Sequence, residues 1–205
     1  MTSVTLYAAL VGVVGLERLA ELVVSARNIG AAKAEGAVER GFGHYPVMVG
    51  LHTGLLVGAM VEVVVADRPF QHWLGWPMLV LVVGSQALRW WCISTLGPQW
   101  NTRVVVLPGA GLVRAGPYRW LRHPNYLAVV VEGVALPLVH GAWVTALVFT
   151  LANAALLRTR IRCEERALSE VASGMSPGMS PGMSPGMSPG MSPGMSPGMS
   201  PGMSP

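Results

Sequence analysis

The stretch GPYRWLRHPNYLAVVVEG, residues 116–133, changes character midway. Up to His123 it is glycine, proline, aromatic and basic; from Pro124 it is apolar, with Glu132 set inside the apolar run. Proline suits the first position of a helix, because its missing N–H would have no partner there. A helix is therefore expected to start at Pro124, with the amides of Asn125 and Tyr126 pointing back at the loop. Such a terminus, with Arg119 and Arg122 beside it, makes an anion site. Tyr118, Trp120, His123 and Tyr126 add flat rings on which a base can stack. Just upstream, LPGAGLV (residues 107–113) is glycine-rich and reads either as a plain turn or as a loop that lets backbone approach a ligand.

Outward from this stretch the chain is built for a bilayer. Runs at 4–26, 45–66 and 73–96, and a longer one at 124–157, are apolar enough to cross a hydrocarbon core of about 30 Å, which takes about 20 residues. Pro137 and His140-Gly141 break the last run into a helical hairpin. Its first arm, 124–139, is short, so it spans or re-enters. The expected fold is an all-α integral-membrane bundle of about five helices ending in that hairpin. Residues 1–173 form the working domain, with the cofactor part at about 100–170. From 174 to 205 the chain is eight copies of Gly-Met-Ser-Pro, a tract without charge or apolar periodicity that is expected to be disordered. No basic stretch precedes the first apolar run, so no cleavable signal is expected, and two cysteines are too few for a disulfide framework.

Charge supplies the orientation. Eleven of the fourteen Lys and Arg fall in three segments: Arg27, Lys33 and Arg40; Arg103, Arg114, Arg119 and Arg122; and Arg158, Arg160, Arg162 and Arg166. By the positive-inside rule these are cytoplasmic and the N-terminus is outside, as for a protein of a bacterial inner membrane. The pI of about 9.6 then reflects topology, and no nucleic-acid partner is expected. Because the hairpin returns the chain to the face it left, RHPNY (122–126) and CEER (163–166) share the cytoplasmic side.

Ionisable groups within membrane helices are costly and mark candidates for function. Glu17, Arg18 and Glu21 are read as pairing with one another or reaching for the interface. His52 and Glu62 suggest hydrogen bonds between helices, and Arg89 beside Trp90 and Trp91 suggests an interfacial belt with a snorkelling arginine. Glu132 has two open readings: a partner such as Arg89, or a role at the acceptor site.

Beyond the hairpin, RTRIRCEERAL (158–168) places Arg160 and Glu164 on one helical side. Their order is the weaker one for an i,i+4 pair, and adjacent acids oppose the basic trend. A helix-terminal anion site, rings and a carboxylate pair on one face match S-adenosylmethionine, which carries a carboxylate, an ammonium and an adenine.

GPYRWLRHPNY, a helical hairpin and then RIRCEE (160–165) resemble the isoprenylcysteine carboxyl methyltransferase family of integral-membrane methyltransferases. The resemblance implies that Ala110, Gly111, Leu112 and Val113, with Tyr118 and His123, Pro124, Asn125 and Tyr126, line S-adenosylmethionine. It implies that Glu164 holds the methionine end and that Arg160 faces the acceptor. Arg103, Arg122 and Glu165 complete the candidate cofactor residues; Arg160 and Glu132 are the candidate catalytic ones, and no metal is expected. The compact length, with WNTRVVVLPG before the motif, is similar to bacterial relatives associated with type III polyketide synthases. The implied reaction is methyl transfer to an oxygen of an amphiphilic small molecule such as an alkylpyrone, an alkylresorcinol or a prenylcysteine. Where family members continue past the paired acids with an aromatic-containing helix, this chain has its repeats.

Two other readings stand beside this one. Membrane sterol and steroid reductases carry a similar RHPNY motif and use NADPH, but this chain follows it with Leu127-Ala128-Val129 and lacks their C-terminal Lys-Tyr-Gly…Trp pattern. A non-catalytic carrier would spread its intramembrane charges along internal repeats; here the polar groups cluster on one face.

Overall fold

Every long apolar run folds as a helix. The computed structural model describes residues 2–40, 44–106 and 113–172. Its helices are α1 (Thr2–Ala34), α2 (His44–Val65), α3 (His72–Leu96), α4 (Pro124–Leu138) and α5 (Trp143–Ala172). The expected all-α membrane bundle is what forms. One small addition is a ribbon in which β1 (Val38–Arg40) pairs antiparallel with β2 (Val104–Val106), Val38 opposite Val106. The repeat tail and residues 107–112 lie outside the described residues.

α1 runs past residue 26, where the apolar run stops, and its last turn, Ala31, Ala32, Lys33 and Ala34, is made of good helix formers. It ends at Gly36, whose φ of 89° belongs to the left-handed region that glycine enters without strain. The Ala37 amide then reaches back to the Ala32 carbonyl at 3.0 Å, closing the end as a Schellman motif does. The buried stripe of α1 is Tyr7, Val11, Val14, Glu21, Ser25 and Ile29: helical spacing throughout, apolar in its first half and largely polar in its second.

The surface is inverted relative to a water-soluble protein. Leu6, Leu16, Val57, Val64, Val80, Leu147 and Leu151 are exposed, whereas Glu21, Ser85, Arg89, Glu132 and Asn153 are buried. Exposed apolar area this extensive marks a lipid-facing surface. Among the described residues, three helical segments, Tyr45–Val65, His72–Gln99 and Trp143–Cys163, are long and apolar enough to cross a membrane. Exposed tryptophans collect at both ends of the bundle: Trp73, Trp76 and Trp143 at one, Trp90, Trp91 and Trp120 at the other, as aromatic belts do.

α4 is the short arm, and it is the innermost helix. Its 15 residues rise about 22 Å, less than the hydrocarbon thickness. The turn that follows therefore needs protein around it, since irregular backbone at membrane depth must be buried. Val139, His140 and Ala142 are indeed buried. Ala142 N–H donates to the Pro137 carbonyl at 2.9 Å, and the Tyr7 hydroxyl donates to the Leu136 carbonyl at 3.1 Å. Gly133 lets α5 come close: a Cβ there would run into the Phe149 ring.

Glu62, near the end of α2, caps the start of α5, the inter-helix role expected of it. Its carboxylate accepts from the amides of Val144 (3.2 Å) and Thr145 (2.8 Å) and from the Thr145 hydroxyl (2.9 Å), and it pairs with Arg68 at 3.1 Å. Charged acceptors at a helix N-terminus are stabilising because the terminal amides lack helical partners. Glu62→Ala should cost about 1–3 kcal/mol and lower the unfolding midpoint in detergent, with the helical circular-dichroism signal of the folded state unchanged. An unaltered midpoint would show that the cap contributes nothing.

Candidate active site

The basic segments meet at one end of the bundle, because α1 and α3 finish there, α4 starts there and α5 returns there. Segment 97–102 is tied down first. Gly97, with φ 51°, ends α3, and its amide bonds the Ile93 carbonyl. The Asn28 amide donates to the carbonyls of Gly97 (3.1 Å) and Trp100 (2.6 Å). The Thr102 amide donates to the Ser25 hydroxyl at 2.8 Å. Ser25 and Asn28 are three apart on α1 and so share its inner face. That polar pair was a legible signal, although the sequence reading passed over it.

The Thr102 carbonyl then accepts from the Arg160 guanidinium of α5 at 2.8 Å. Arg160 also contacts the Met48 sulfur of α2 and lies 5.6 Å from the Tyr126 ring centroid on α4. His123 stacks on Tyr126, centroids 5.3 Å apart and planes within 19°. One arginine thus joins α2, α4, α5 and the loop. Arg103, a few residues on, sits 4.3 Å from the Tyr45 ring centroid.

α4 starts at Pro124, which is buried at the first helical position as expected. Tyr126 N–H is not open, however: it donates to the His123 carbonyl at 3.1 Å. Among the described residues no backbone bond uses the Asn125 N–H, and Asn125 Oδ1 is buried without a partner. The four rings divide. Tyr126 faces Arg160 and His123 stacks on Tyr126, but Tyr118 and Trp120 turn to α3. Tyr118 hydrogen-bonds Cys92, and Trp120 packs edge-on to Trp91 at 6.0 Å. The cause is Gly116, whose φ of 53° lets segment 116–119 press onto Trp91 and Thr95, where a Cβ would collide. Arg119 and Arg122 are exposed, and Val113 is half-buried. Ala110, Gly111 and Leu112 lie outside the described residues. Glu164 and Glu165 belong to α5, and their side chains are also outside the description.

Deeper in the bundle lies a network the sequence showed only in pieces. Glu132 Oε2 accepts from Arg89 at 2.6 Å and from Arg18 at 3.1 Å. Arg18 also pairs with Glu21 at 2.9 Å and donates to Gln86 at 2.9 Å, and Arg89 Nε lies 3.5 Å from Glu21. Two cations and two anions cancel where each alone would be prohibitively desolvated. Arg89 is therefore not the snorkelling side chain its tryptophan neighbours suggested; it is 2 % exposed and turned inward. For Glu132 the partner reading holds, with Arg89 the partner. Glu132→Ala would leave Arg18 and Arg89 sharing Glu21 as their anion and should cost about 3–5 kcal/mol. The double change Glu132→Leu with Arg89→Leu should cost less than the single one. The unfolding midpoints in detergent check the order, and equal losses would contradict it.

Residues 78–170 match the model of the Isoprenylcysteine carboxyl methyltransferase (ICMT) family. Among curated proteins, the chain is 39 % identical over 162 residues to "Uncharacterized protein YpbQ" of Bacillus subtilis (strain 168), covering 78 % of this chain and 95 % of that one. It is 27 % identical over 157 residues to an "Uncharacterized protein" of Haemophilus influenzae, covering 75 % and 90 %. No solved structure matches. The matched span holds α4, its basic loop and the Arg160 segment of α5, and on this footing the chain belongs to the isoprenylcysteine carboxyl methyltransferase family.

Proposed function

We propose that this chain is an S-adenosylmethionine-dependent O-methyltransferase of lipophilic acceptors, working at the cytoplasmic face of a bacterial inner membrane. The observation that carries the reading is the convergence on Arg160, which reaches from α5 to the ring of Tyr126 at the start of α4 while held by the Thr102 carbonyl. The residues present fit the donor. The first turn of α4 offers the Asn125 N–H to a carboxylate, and the partnerless Asn125 Oδ1 offers an acceptor to an N–H of the ligand. Glu164 and Glu165 follow Arg160 by about one turn and are assigned to the ammonium of the methionine end. Of the remaining cofactor candidates, Arg103, Val113 and Arg122 belong to the segment between α3 and α4, and residues 110–112 and Tyr118 are candidates by the family resemblance.

When bound, S-adenosylmethionine supplies an electrophilic methyl group on a sulfonium. The protein's own part is to align, shield and orient. Holding two reactants in line is worth up to about 7–11 kcal/mol in well-oriented cases. Arg160 has fixed geometry, because a backbone carbonyl and an aromatic ring restrain its fork, and it is assigned to the acceptor oxygen. The exposed apolar faces of α2 and α5 let an alkyl or prenyl tail remain in the bilayer while the head enters beside Arg160. Alkylpyrones, alkylresorcinols and prenylcysteines all have this form.

Two variants separate the roles. Arg160→Ala should lower turnover by about 10²-fold with donor affinity nearly unchanged. Glu164→Ala should weaken donor binding by about tenfold, or 1.4 kcal/mol. Binding of radiolabelled S-adenosylmethionine to protein in nanodiscs, with methyl incorporation into a lipid extract, reads both. Two variants indistinguishable from wild type would overturn the assignment.

A further inference from the structure

His52 was expected to bridge helices by a hydrogen bond; it bonds its own helix instead. Its Nδ1 lies 2.9 Å from the backbone carbonyl of Met48, one turn earlier on α2. A carbonyl only accepts, so Nδ1 carries the proton and donates it. In the neutral imidazole, Nε2 is then left with its lone pair. The ring is held in place: it stands edge-on to Phe149 of α5, centroids 5.5 Å apart at 84°, and Phe149 is itself wedged against Gly133 of α4.

Its place along the bundle gives this nitrogen a use. Met48, whose carbonyl fixes the tautomer, also contacts Arg160 through its sulfur. His52 thus lies one turn, about 6 Å, deeper than the Arg160 contact on the seam between α2 and α5. Buried Asn153 stands on the same face of α5, four residues after Phe149 and seven before Arg160. Leu51, Leu55, Val129 and Phe149 form an apolar cluster at about this level. A polar head entering beside Arg160 has His52 one turn further along the same seam. The charged groups acting on the ring are Glu132 from α4, Arg89 from α3 and Arg18 from α1, with Arg160 of α5 reaching its helix through Met48.

We propose that His52 is the general base of the reaction, and that the acceptor is consequently an O–H compound, a phenol or enol with an apolar tail, rather than a carboxylate. The inference rests on the methyltransferase reading and narrows it. A carboxylate is already anionic near neutral pH, so a base beside it would have no proton to take; a phenol, with a pKa of about 10, keeps its own. In the step, the acceptor oxygen forms a bond to the methyl carbon as the carbon–sulfur bond breaks. Its electron pair goes to sulfur, which becomes a neutral thioether. The hydroxyl proton passes to His52 Nε2, and from there to solvent when product leaves.

The test uses the full chain in nanodiscs with radiolabelled S-adenosylmethionine and two probes: pentadecylresorcinol for the hydroxyl class and N-acetyl-S-farnesylcysteine for the carboxylate class. Wild type should methylate the resorcinol. His52→Gln should lose about 10²–10³-fold in that rate near neutral pH, with donor affinity intact. The deficit should shrink as pH approaches the acceptor's own pKa of about 10, since the phenolate then forms unaided; a merely structural defect would persist at every pH. Nitrogen NMR, with His52 assigned by its loss in the variant, should show an unprotonated Nε2 in the neutral ring. The proposal is overturned by a protonated Nε2, by undiminished resorcinol methylation in His52→Gln, or by a wild type that binds donor and methylates only the carboxylate probe or neither. A wild type that fails to bind donor would instead overturn the methyltransferase reading, and this inference with it.

Discussion

The structure depends on a charge cluster that none of its helices holds alone. Arg18, Glu21, Arg89 and Glu132 come from α1, α3 and α4 and meet where the helices run through apolar surroundings. Burying one such group is costly; burying all four with their partners is tolerable, because opposite charges attract strongly when water is excluded. The cluster therefore acts as a register lock. A helix that slid or rotated would strand a charge in hydrocarbon, which an apolar interface would not penalise nearly as much.

That lock explains how a helix as short as α4 is held. Glu132 secures its middle, the buried turn at Val139 and His140 closes its far end, and Pro124 starts it against the loop. Glu132 and Asn125 are seven residues apart and share a face, so the same interaction that fixes Glu132 also orients the first turn. The two ends of the bundle then divide the work. At one, Glu62 joins α2 to α5 through backbone amides. At the other, Ser25, Asn28 and Thr102 pass α1's position on to Arg160, so the candidate site is assembled by tethers from four helices.

The sequence made the helices, the hairpin and the start of α4 legible, because length, apolar runs and a proline at the first helical position act locally. It also named Arg89 as a partner for Glu132, since a lone buried carboxylate demands one. Rotation about each helix axis was much harder to read. With nearly every position of α3 apolar, nothing local said that Arg89 faces inward while Trp90 and Trp91 face out. Tyr118 and Trp120 were read as part of a stacking surface because they sit in the motif, but the left-handed φ at Gly116 sends them to α3. The role proposed for His52 was not legible either: its tautomer follows from a bond to Met48, and its place from Phe149 and Arg160, both distant in sequence.

The central claim is that the basic end of this bundle binds a methyl donor. Titration of the full chain in nanodiscs with S-adenosylmethionine and, separately, with NADPH tests it most directly. The account predicts saturable binding of S-adenosylmethionine at one equivalent per chain and no saturable binding of NADPH. Saturable binding of NADPH with none of S-adenosylmethionine would contradict it and assign the motif to a reductase.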